Sequence, residues 1–150
     1  MIKVTPSSFE QVAPVWEKYL WDKRYKFEPT SCMLYLGGYD AEIAKKYKPI
    51  FWTAFLDGQM AGVVSAHATS DKHFRLRGLC VLPDFRNKGC ARILIEAVVD
   101  EARNQSFQLL WTAPRQQALG FYQKLGFVKT SDFTNEGFMF GPNCYAERKL

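Results

Sequence analysis

Several signals are missing from this sequence, and each absence excludes a class of protein. The 4 cysteines form no CxxC pair, so neither a zinc site nor a disulfide framework is indicated. No stretch approaches the roughly 18 consecutive apolar residues of a membrane helix, and residues 1–11 lack the apolar run of a signal peptide. These absences predict a soluble, cytoplasmic protein that has no membrane partner and needs no metal.

A long run of one charge sign is also missing. The 20 Lys and Arg residues against 15 Asp and Glu residues leave a net charge of only +5. No run of five or more basic residues occurs, which argues against nucleic acid as the main partner. The mild positive excess fits an anionic ligand such as a phosphorylated cofactor.

What is present suffices for one domain that spans residues 1–150. With 47% hydrophobic residues, a chain of this length can bury a core without disulfides. Helical periodicity predicts a first helix capped by Ser7 or Ser8, with Pro14 as a point of kinking, and a short helix capped by Asp40. Residues 21–38 between them are aromatic and aperiodic. The rest of the pattern predicts strands at 2–5, 50–56, 60–69, 73–82, 107–112, 127–130 and 144–149, and helices at 89–103 and 115–124.

The most informative segment runs from Leu79 to Arg92. A strand leads into a short loop that contains Gly89, and a helix begins at once. Such a junction directs unpaired backbone N–H groups at one point beside the positive end of a helix dipole, which makes an anion site. The alternative is a tight turn with a solvated basic face. Neither a P-loop nor a dinucleotide fingerprint is present.

Two stretches of this sequence resemble the motifs of one family. Residues 86–91, Arg-Asn-Lys-Gly-Cys-Ala, resemble the R/Q-x-x-G-x-G/A signature of GNAT N-acetyltransferases, and residues 81–85 resemble the lead-in to it. Residues 118–127 resemble the second motif of the family, A-x-x-x-Y-x-x-x-G-F. The resemblance covers residues 73–130, the expected coenzyme-binding core. Residues 1–48 match only as the variable helical region on the acceptor side.

The resemblance implies an α+β fold, with a central mixed, mostly antiparallel sheet of about six to seven strands flanked by about four helices. It implies acetyl-CoA as cosubstrate and a primary amine of a small molecule as acceptor, acetylated by direct attack on the thioester. Tyr122 would protonate the departing thiolate. The residues expected to hold the coenzyme are Leu79, Cys80, Val81, Arg86, Asn87, Lys88, Gly89, Cys90, Ala91 and Arg92. The alternatives are a non-catalytic acyl-CoA-binding or regulatory module and a protein or peptide N-acetyltransferase; a homodimer stays open.

Three positions depart from the family pattern. Arg115 replaces a common asparagine, and the two positions where relatives carry a catalytic glutamate hold Leu110 and Arg75. Proton removal would then use water or a residue outside the motifs, for which His73 is a candidate against a purely structural role. Arg75 would bind an acidic group on the acceptor, or else pair with carboxylates of the protein. Arg77 points to the same face as Arg75. His67, on the preceding strand, is expected to be a packing residue. The segments that could flank the acceptor site contain Glu28, Glu42 and Glu136.

Overall fold

The computed structural model describes residues 1–21, 28–29, 41–138 and 141–150 of the chain. The strands in these residues are β1 Ile2–Ser7, β2 Ile50–Leu56, β3 Gln59–Ala68, β4 His73–Val81, β5 Leu109–Thr112, β6 Val128–Lys129 and β7 Ala146–Lys149. The α-helices are α1 Phe9–Tyr19, α2 Ala41–Lys46, α3 Cys90–Asn104 and α4 Gln116–Lys124. A short 3-10 turn covers Pro83–Phe85.

All seven strands belong to one sheet, in the order β1-β2-β3-β4-β5-β7-β6. Every neighbouring pair is antiparallel except β4 and β5, which run parallel. A parallel pair needs a crossover connection, and α3 supplies it. The predicted mixed, mostly antiparallel sheet with a central strand–helix–strand unit is therefore confirmed.

The two faces of the sheet bury different sets of side chains. The larger core lies on the α3 side and includes Val64, Phe74, Leu76, Leu94 and Leu110. A smaller cluster lies on the α1 side, where it joins the sheet to the first helix. Its buried members are Val12, Val15, Trp16, Phe51, Val63 and Cys80.

The N-terminal elements differ slightly from the prediction. β1 continues to Ser7 instead of ending at residue 5, because Pro6 is tolerated on an edge strand that pairs only with β2. Ser8 caps α1, since its hydroxyl accepts from the N–H of Gln11 at 3.3 Å. Pro14 lies inside α1 and does not end it. The predicted Asp40 cap, Cys32 and most of the aperiodic segment lie outside the described residues.

Candidate active site

The parallel strands β4 and β5 pair over only part of their length. Their ladder joins His73–Arg75 to Leu109–Trp111 and then ends. At the next position the Thr112 hydroxyl donates to the Leu76 carbonyl at 3.0 Å, so a side chain satisfies the first backbone group beyond the ladder. Among the described strands, none pairs with the rest of β4 on this side. We call this opening the β4–β5 gap.

A β-bulge interrupts β4 beside the gap. Val63 pairs with Cys80 and Ser65 with Arg77, so Gly78 and Leu79 together oppose the single residue Val64. Gly78 has a φ of 69°, the left-handed conformation that glycine adopts without strain. The extra residue turns Leu79 toward the larger core and Cys80 toward the α1 cluster.

The strand regains its regular alternation after the bulge. The N–H of Leu82 donates to Ala61 of β3 at 2.8 Å. Because backbone groups of successive residues in a strand point to opposite sides, the N–H of Cys80 also points toward β3. The N–H groups of Leu79 and Val81 therefore point away from β3, into the β4–β5 gap. This geometry offers two backbone donors to a ligand that enters the gap.

The loop after β4 ends at the N-terminus of α3. Gly89 is the N-cap residue with a φ of 89°, and Asn87 has a φ of 61°. The N–H of Ile93 makes the first bond of the helix, to Gly89 O at 3.2 Å. The preceding N–H groups, those of residues 90–92, have no partner within the helix. They point at the region in front of Gly89, where the helix dipole also favours an anion.

The surroundings of this helix N-terminus leave room for a ligand. A Cβ atom on Gly89 would meet only the side chain of Ile2, at 3.8 Å. The side chains of Arg86, Lys88 and Arg92 are exposed around it. Arg86 also donates from Nε to the Val81 carbonyl at 3.3 Å, which links the basic loop to the end of β4. An open cradle with mobile cations fits a diphosphate group.

Tyr122 of α4 lies at the closed end of the β4–β5 gap. Its ring is buried and packs edge-on against Phe127 at 5.4 Å between centroids. Burial raises the pKa of Tyr122 to about 12, and a hydrogen bond with the Thr112 side chain acts in the opposite direction. The phenol is therefore neutral at physiological pH and carries a proton.

A polar row crosses the α1 face of the sheet. His67, Arg75 and Trp111 are cross-strand neighbours on β3, β4 and β5. Arg75 is only 4% exposed, and its guanidinium lies 4.6 Å from the centre of the Trp111 ring. Two residues further along β4, the guanidinium of Arg77 lies 4.9 Å from the Trp21 ring. Two arginines held on aromatic rings thus face the side of α1.

Comparison with known proteins agrees with this architecture. Residues 13–127 match the family model described as the acetyltransferase (GNAT) family. The chain belongs to this GNAT family. The predicted membership of this acetyltransferase family is thereby confirmed.

The curated relatives of this GNAT chain are longer proteins. N-acetylaspartate synthetase from Danio rerio is 30% identical over 135 residues, which cover 83% of this chain and 48% of the relative. N-acetyltransferase 8B from Mus musculus is 33% identical over 115 residues, which cover 69% of this chain and 50% of the relative. The chain thus spans about half the length of these relatives.

Solved structures share the fold at much lower identity. An aminoglycoside 6′-N-acetyltransferase complexed with coenzyme A superposes with a TM-score of 0.73 at 12% identity, covering 98% of this chain and 96% of that one. At such low identity the likeness concerns the fold, and it identifies no acceptor for this GNAT chain.

The structure brings most of the predicted site residues of this GNAT chain together along one path. Leu79 and Val81 line the gap, Cys80 turns its side chain to the α1 cluster, and the loop from Arg86 continues to α3. The side chain of Cys90 is buried, so only its backbone can serve an anion. Ala91 and Arg92 follow it in the first turn of α3.

The predicted acceptor residues are more scattered. His73 is exposed at the start of β4, five residues before the bulge, whereas His67 is buried as a packing residue would be. Leu110 faces the larger core. Glu28 and Glu136 are both exposed. Arg115 directly precedes α4 and forms an isolated antiparallel β-bridge with Asn143. Glu42 forms a salt bridge with Lys45.

Sequence reasoning missed Gly78, Trp16 and Thr112. A glycine in the middle of a predicted strand is a signal of a bulge, and Gly78 could have been found on that ground. Trp16 and Thr112 carry no comparable signal, because their roles depend on contacts with β4 that are distant in sequence.

The described residues contain neither a cluster of metal ligands nor a membrane-spanning helix. In the part of the chain that the structure describes, no group of three or more potential ligands could hold a metal ion. The same residues contain no helix with the length and apolar character that crossing a bilayer requires.

Proposed function

We propose that this chain transfers the acetyl group of acetyl-CoA to the primary amine of a small molecule by direct attack on the thioester. The observation that carries the proposal is the β4–β5 gap, with two backbone donors on its wall and an open anion site at the start of α3. The coenzyme supplies an activated acyl group and a thiolate leaving group. The chain's residues bind the coenzyme, polarise its carbonyl and supply a proton.

The coenzyme would bind at two places, the N-terminus of α3 and the β4–β5 gap. Backbone N–H groups of residues 87–91 would hold the diphosphate, and Arg86, Lys88 and Arg92 would surround it with positive charge. The extended arm would lie along Leu79–Val81, where β4 lacks a neighbouring strand. In that position the N–H of Leu79 would donate to the thioester carbonyl, and this bond would strengthen as the oxygen gains charge in the transition state.

Tyr122 would act as the general acid. The neutral amine attacks the carbonyl carbon, the carbon–sulfur bond breaks, and the phenol donates its proton to the leaving sulfur. A pKa of about 12 keeps the phenol protonated at neutral pH, so its proton is present when negative charge develops on the sulfur. The amine loses its own proton to water. The alternative is that Tyr122 only packs between Phe121 and Phe127.

A covalent route through cysteine is disfavoured by the surroundings of Cys80. Burial raises the pKa of this thiol, while the nearby Arg86 lowers it less. The thiolate is the reactive form of cysteine, so a buried thiol with a raised pKa is a weak nucleophile. Direct transfer from the thioester to the amine therefore fits this site better than an acyl-enzyme.

The acceptor would be an amine that also carries an acidic group, such as an amino acid. Arg75 and Arg77 face the α1 side beside the gap, and Trp111 and Trp21 hold their guanidinium planes. Arginine in a fixed plane suits a carboxylate or phosphate. The name of one relative, N-acetylaspartate synthetase, supports an amino acid as acceptor. The alternative is that both arginines serve only contacts within the protein.

The deciding experiment is an acceptor screen with acetyl-CoA, in which release of free thiol is measured. Amino acids and their amides form matched pairs that differ in the carboxylate, and polyamines and aminoglycosides represent purely cationic acceptors. We expect amino acids to be acetylated faster than their amides. Preferred turnover of cationic amines would contradict the acidic acceptor but not the acetyl transfer.

A second candidate is a non-catalytic acyl-CoA-binding module. It is favoured by Leu110 and Arg75, which occupy the positions of the two expected glutamates, and Leu110 is fully buried in the core. This candidate predicts that acetyl-CoA binds, whereas no amine in the screen, and no peptide or protein N-terminus added to it, releases thiol above the rate of hydrolysis.

A further inference from the structure

A tryptophan of the first helix contacts the β-bulge directly. Trp16 Nε1 donates to the Gly78 carbonyl at 2.7 Å, across 62 residues of sequence. Trp16 is only 1% exposed, so water does not compete for this bond. The carbonyl belongs to a bulge residue, and a bulge disrupts the ladder that would otherwise provide a partner.

The indole and Gly78 fit each other closely. A Cβ atom on Gly78 would lie 2.5 Å from the ring of Trp16, nearer than side-chain contacts allow. Gly78 therefore serves two needs at once, because its positive φ also requires glycine. The contact fixes both the position of the bulge and the direction of its carbonyl.

Peptide geometry transmits this constraint to the next residue. The bond between Gly78 and Leu79 is planar and trans, so its C=O and N–H point in opposite directions. Holding the Gly78 oxygen on the indole therefore holds the Leu79 N–H pointing away from α1. The alternation of the strand after the bulge also directs this N–H away from β3, so both constraints leave it available to a ligand in the β4–β5 gap.

We infer that Trp16 is a positioning residue for acetyl transfer. It fixes the Leu79 N–H in the direction of the thioester carbonyl, so that this donor needs no reorganisation when charge develops on the oxygen. The inference rests on the proposed function, because it assumes that a thioester occupies the gap.

The same indole also reaches toward the acceptor side. Trp16 packs against Trp21 at 4.7 Å between ring centroids, and Trp21 carries the guanidinium of Arg77. Trp16 thus contacts both Gly78 of the bulge, next to the proposed thioester donor, and Trp21, which packs against Arg77 on the proposed acceptor side.

The test replaces Trp16 by 3-benzothienylalanine through site-specific incorporation. This analogue keeps the shape of the bicyclic ring and has sulfur in place of the N–H donor. The readout is the infrared carbonyl frequency of acetyl-CoA labelled with carbon-13 at the carbonyl, bound to the protein. We expect the wild type to lower this frequency relative to free acetyl-CoA and the analogue to lose part of that shift. We also expect kcat to fall about 10-fold and the KM for acetyl-CoA to change by less than about 2-fold.

Two further substitutions separate positioning from packing. A ring-fluorinated tryptophan at position 16 is a stronger N–H donor of nearly the same shape, so it should preserve or enlarge the frequency shift. Phe9→Leu removes a ring that lies 6.5 Å from Trp16 but leaves the bond to Gly78 intact, so it should leave the carbonyl frequency unchanged.

The outcomes distinguish this inference from the proposed function. If acetyl-CoA binds but the benzothienyl protein keeps the wild-type frequency and kcat, Trp16 has no positioning role and the proposed function stands. The same conclusion follows if Phe9→Leu reduces the shift as much as the analogue does. If the wild type does not bind acetyl-CoA at all, the proposed function fails and the inference fails with it.

Discussion

At the start of α3, the groups available to a ligand belong to the backbone, whereas on the α1 face of β4 they belong to side chains. The α3 region uses N–H groups presented by Gly89 and the first helical turn. The α1 face uses guanidinium groups and aromatic rings, with Arg75 and Trp111 at its centre. Backbone groups survive most substitutions, while side chains change with each one. The difference explains how one fold can bind one coenzyme and serve different acceptors.

The largest expected effect comes from breaking the backbone site. Gly89→Val forces a branched residue into a φ of 89° and adds side-chain atoms where the diphosphate would lie. We expect acetyl-CoA to bind about 100-fold more weakly or not at all. In the wild type, a ligand at a hundredfold excess over Kd should stabilise the protein by about 2.7 kcal/mol, and thermal unfolding with acetyl-CoA should show this shift only in the wild type.

Gly137→Val is the matched control for this change. Gly137 also has a positive φ, 78°, and open space around it, but it lies outside the α3 loop. It should lose intrinsic stability to a similar extent and still be stabilised by acetyl-CoA. Equal losses of the ligand-induced shift in both variants would show that strain, and not the phosphate site, is responsible.

The next largest effect concerns Tyr122, the proposed proton donor. Tyr122→Phe keeps the ring contact with Phe127 and removes the hydroxyl. We expect kcat to fall about 100-fold, the low end for loss of a general acid, with the Kd for acetyl-CoA nearly unchanged. Steady-state kinetics and calorimetry measure the two quantities. Wild-type turnover in this variant would leave Tyr122 as a packing residue only.

A smaller effect is expected from the side-chain region. Arg75→Met keeps a long side chain on Trp111 and removes the charge. Losing a charge-assisted hydrogen bond should raise the acceptor KM about 30-fold, whereas the KM for acetyl-CoA should stay within about 2-fold. Kinetics with an amino acid and with its amide test this directly, because the amide should be insensitive to the change. A protein that unfolds, or equal effects on both acceptors, would indicate a structural arginine.

The smallest expected effect is the pH dependence of stability that results from the burial of Tyr122. The folded pKa of about 12 lies above the unfolded value near 10, so folding favours the neutral phenol. This contribution is complete below about pH 10 and is lost as the pH rises toward about 12. Between pH 8 and 11, the free energy of unfolding of the wild type should fall by about 1.4 kcal/mol more than that of Tyr122→Phe. Denaturant unfolding at both pH values measures it, and equal falls would contradict the shift.

The sequence allowed local features to be predicted well. β2 was predicted with the bounds Ile50–Leu56 that the structure shows, and the Asp57-Gly58 turn after it has the positive φ values of a tight hairpin. α3 begins one residue after the predicted start, with Gly89 as its cap. These features depend on residues close together in the chain, so a single sequence contains their signals.

Features that depend on distant pairing could not be predicted in the same way. The bulge at Gly78 needs the register of β3 against β4, and its hydrogen bond comes from Trp16 on another element. β5 starts two residues later than predicted, because its ladder with β4 begins at the pair His73–Leu109 and residues 107 and 108 precede the parallel register. The roles of Leu79, Gly89 and Tyr122 stay predictions.

The short β4–β5 ladder also has a consequence for how the molecule opens. In the described residues, the ladder that joins strands β1–β4 to strands β5–β7 consists of three residue pairs. Such a narrow junction is a natural place for a partial unfolding event that separates the two groups of strands without unfolding either completely. A ligand that spans the gap would oppose this separation. Hydrogen exchange in β7, which lies on the far side of β5 from the gap, should then slow when acetyl-CoA binds.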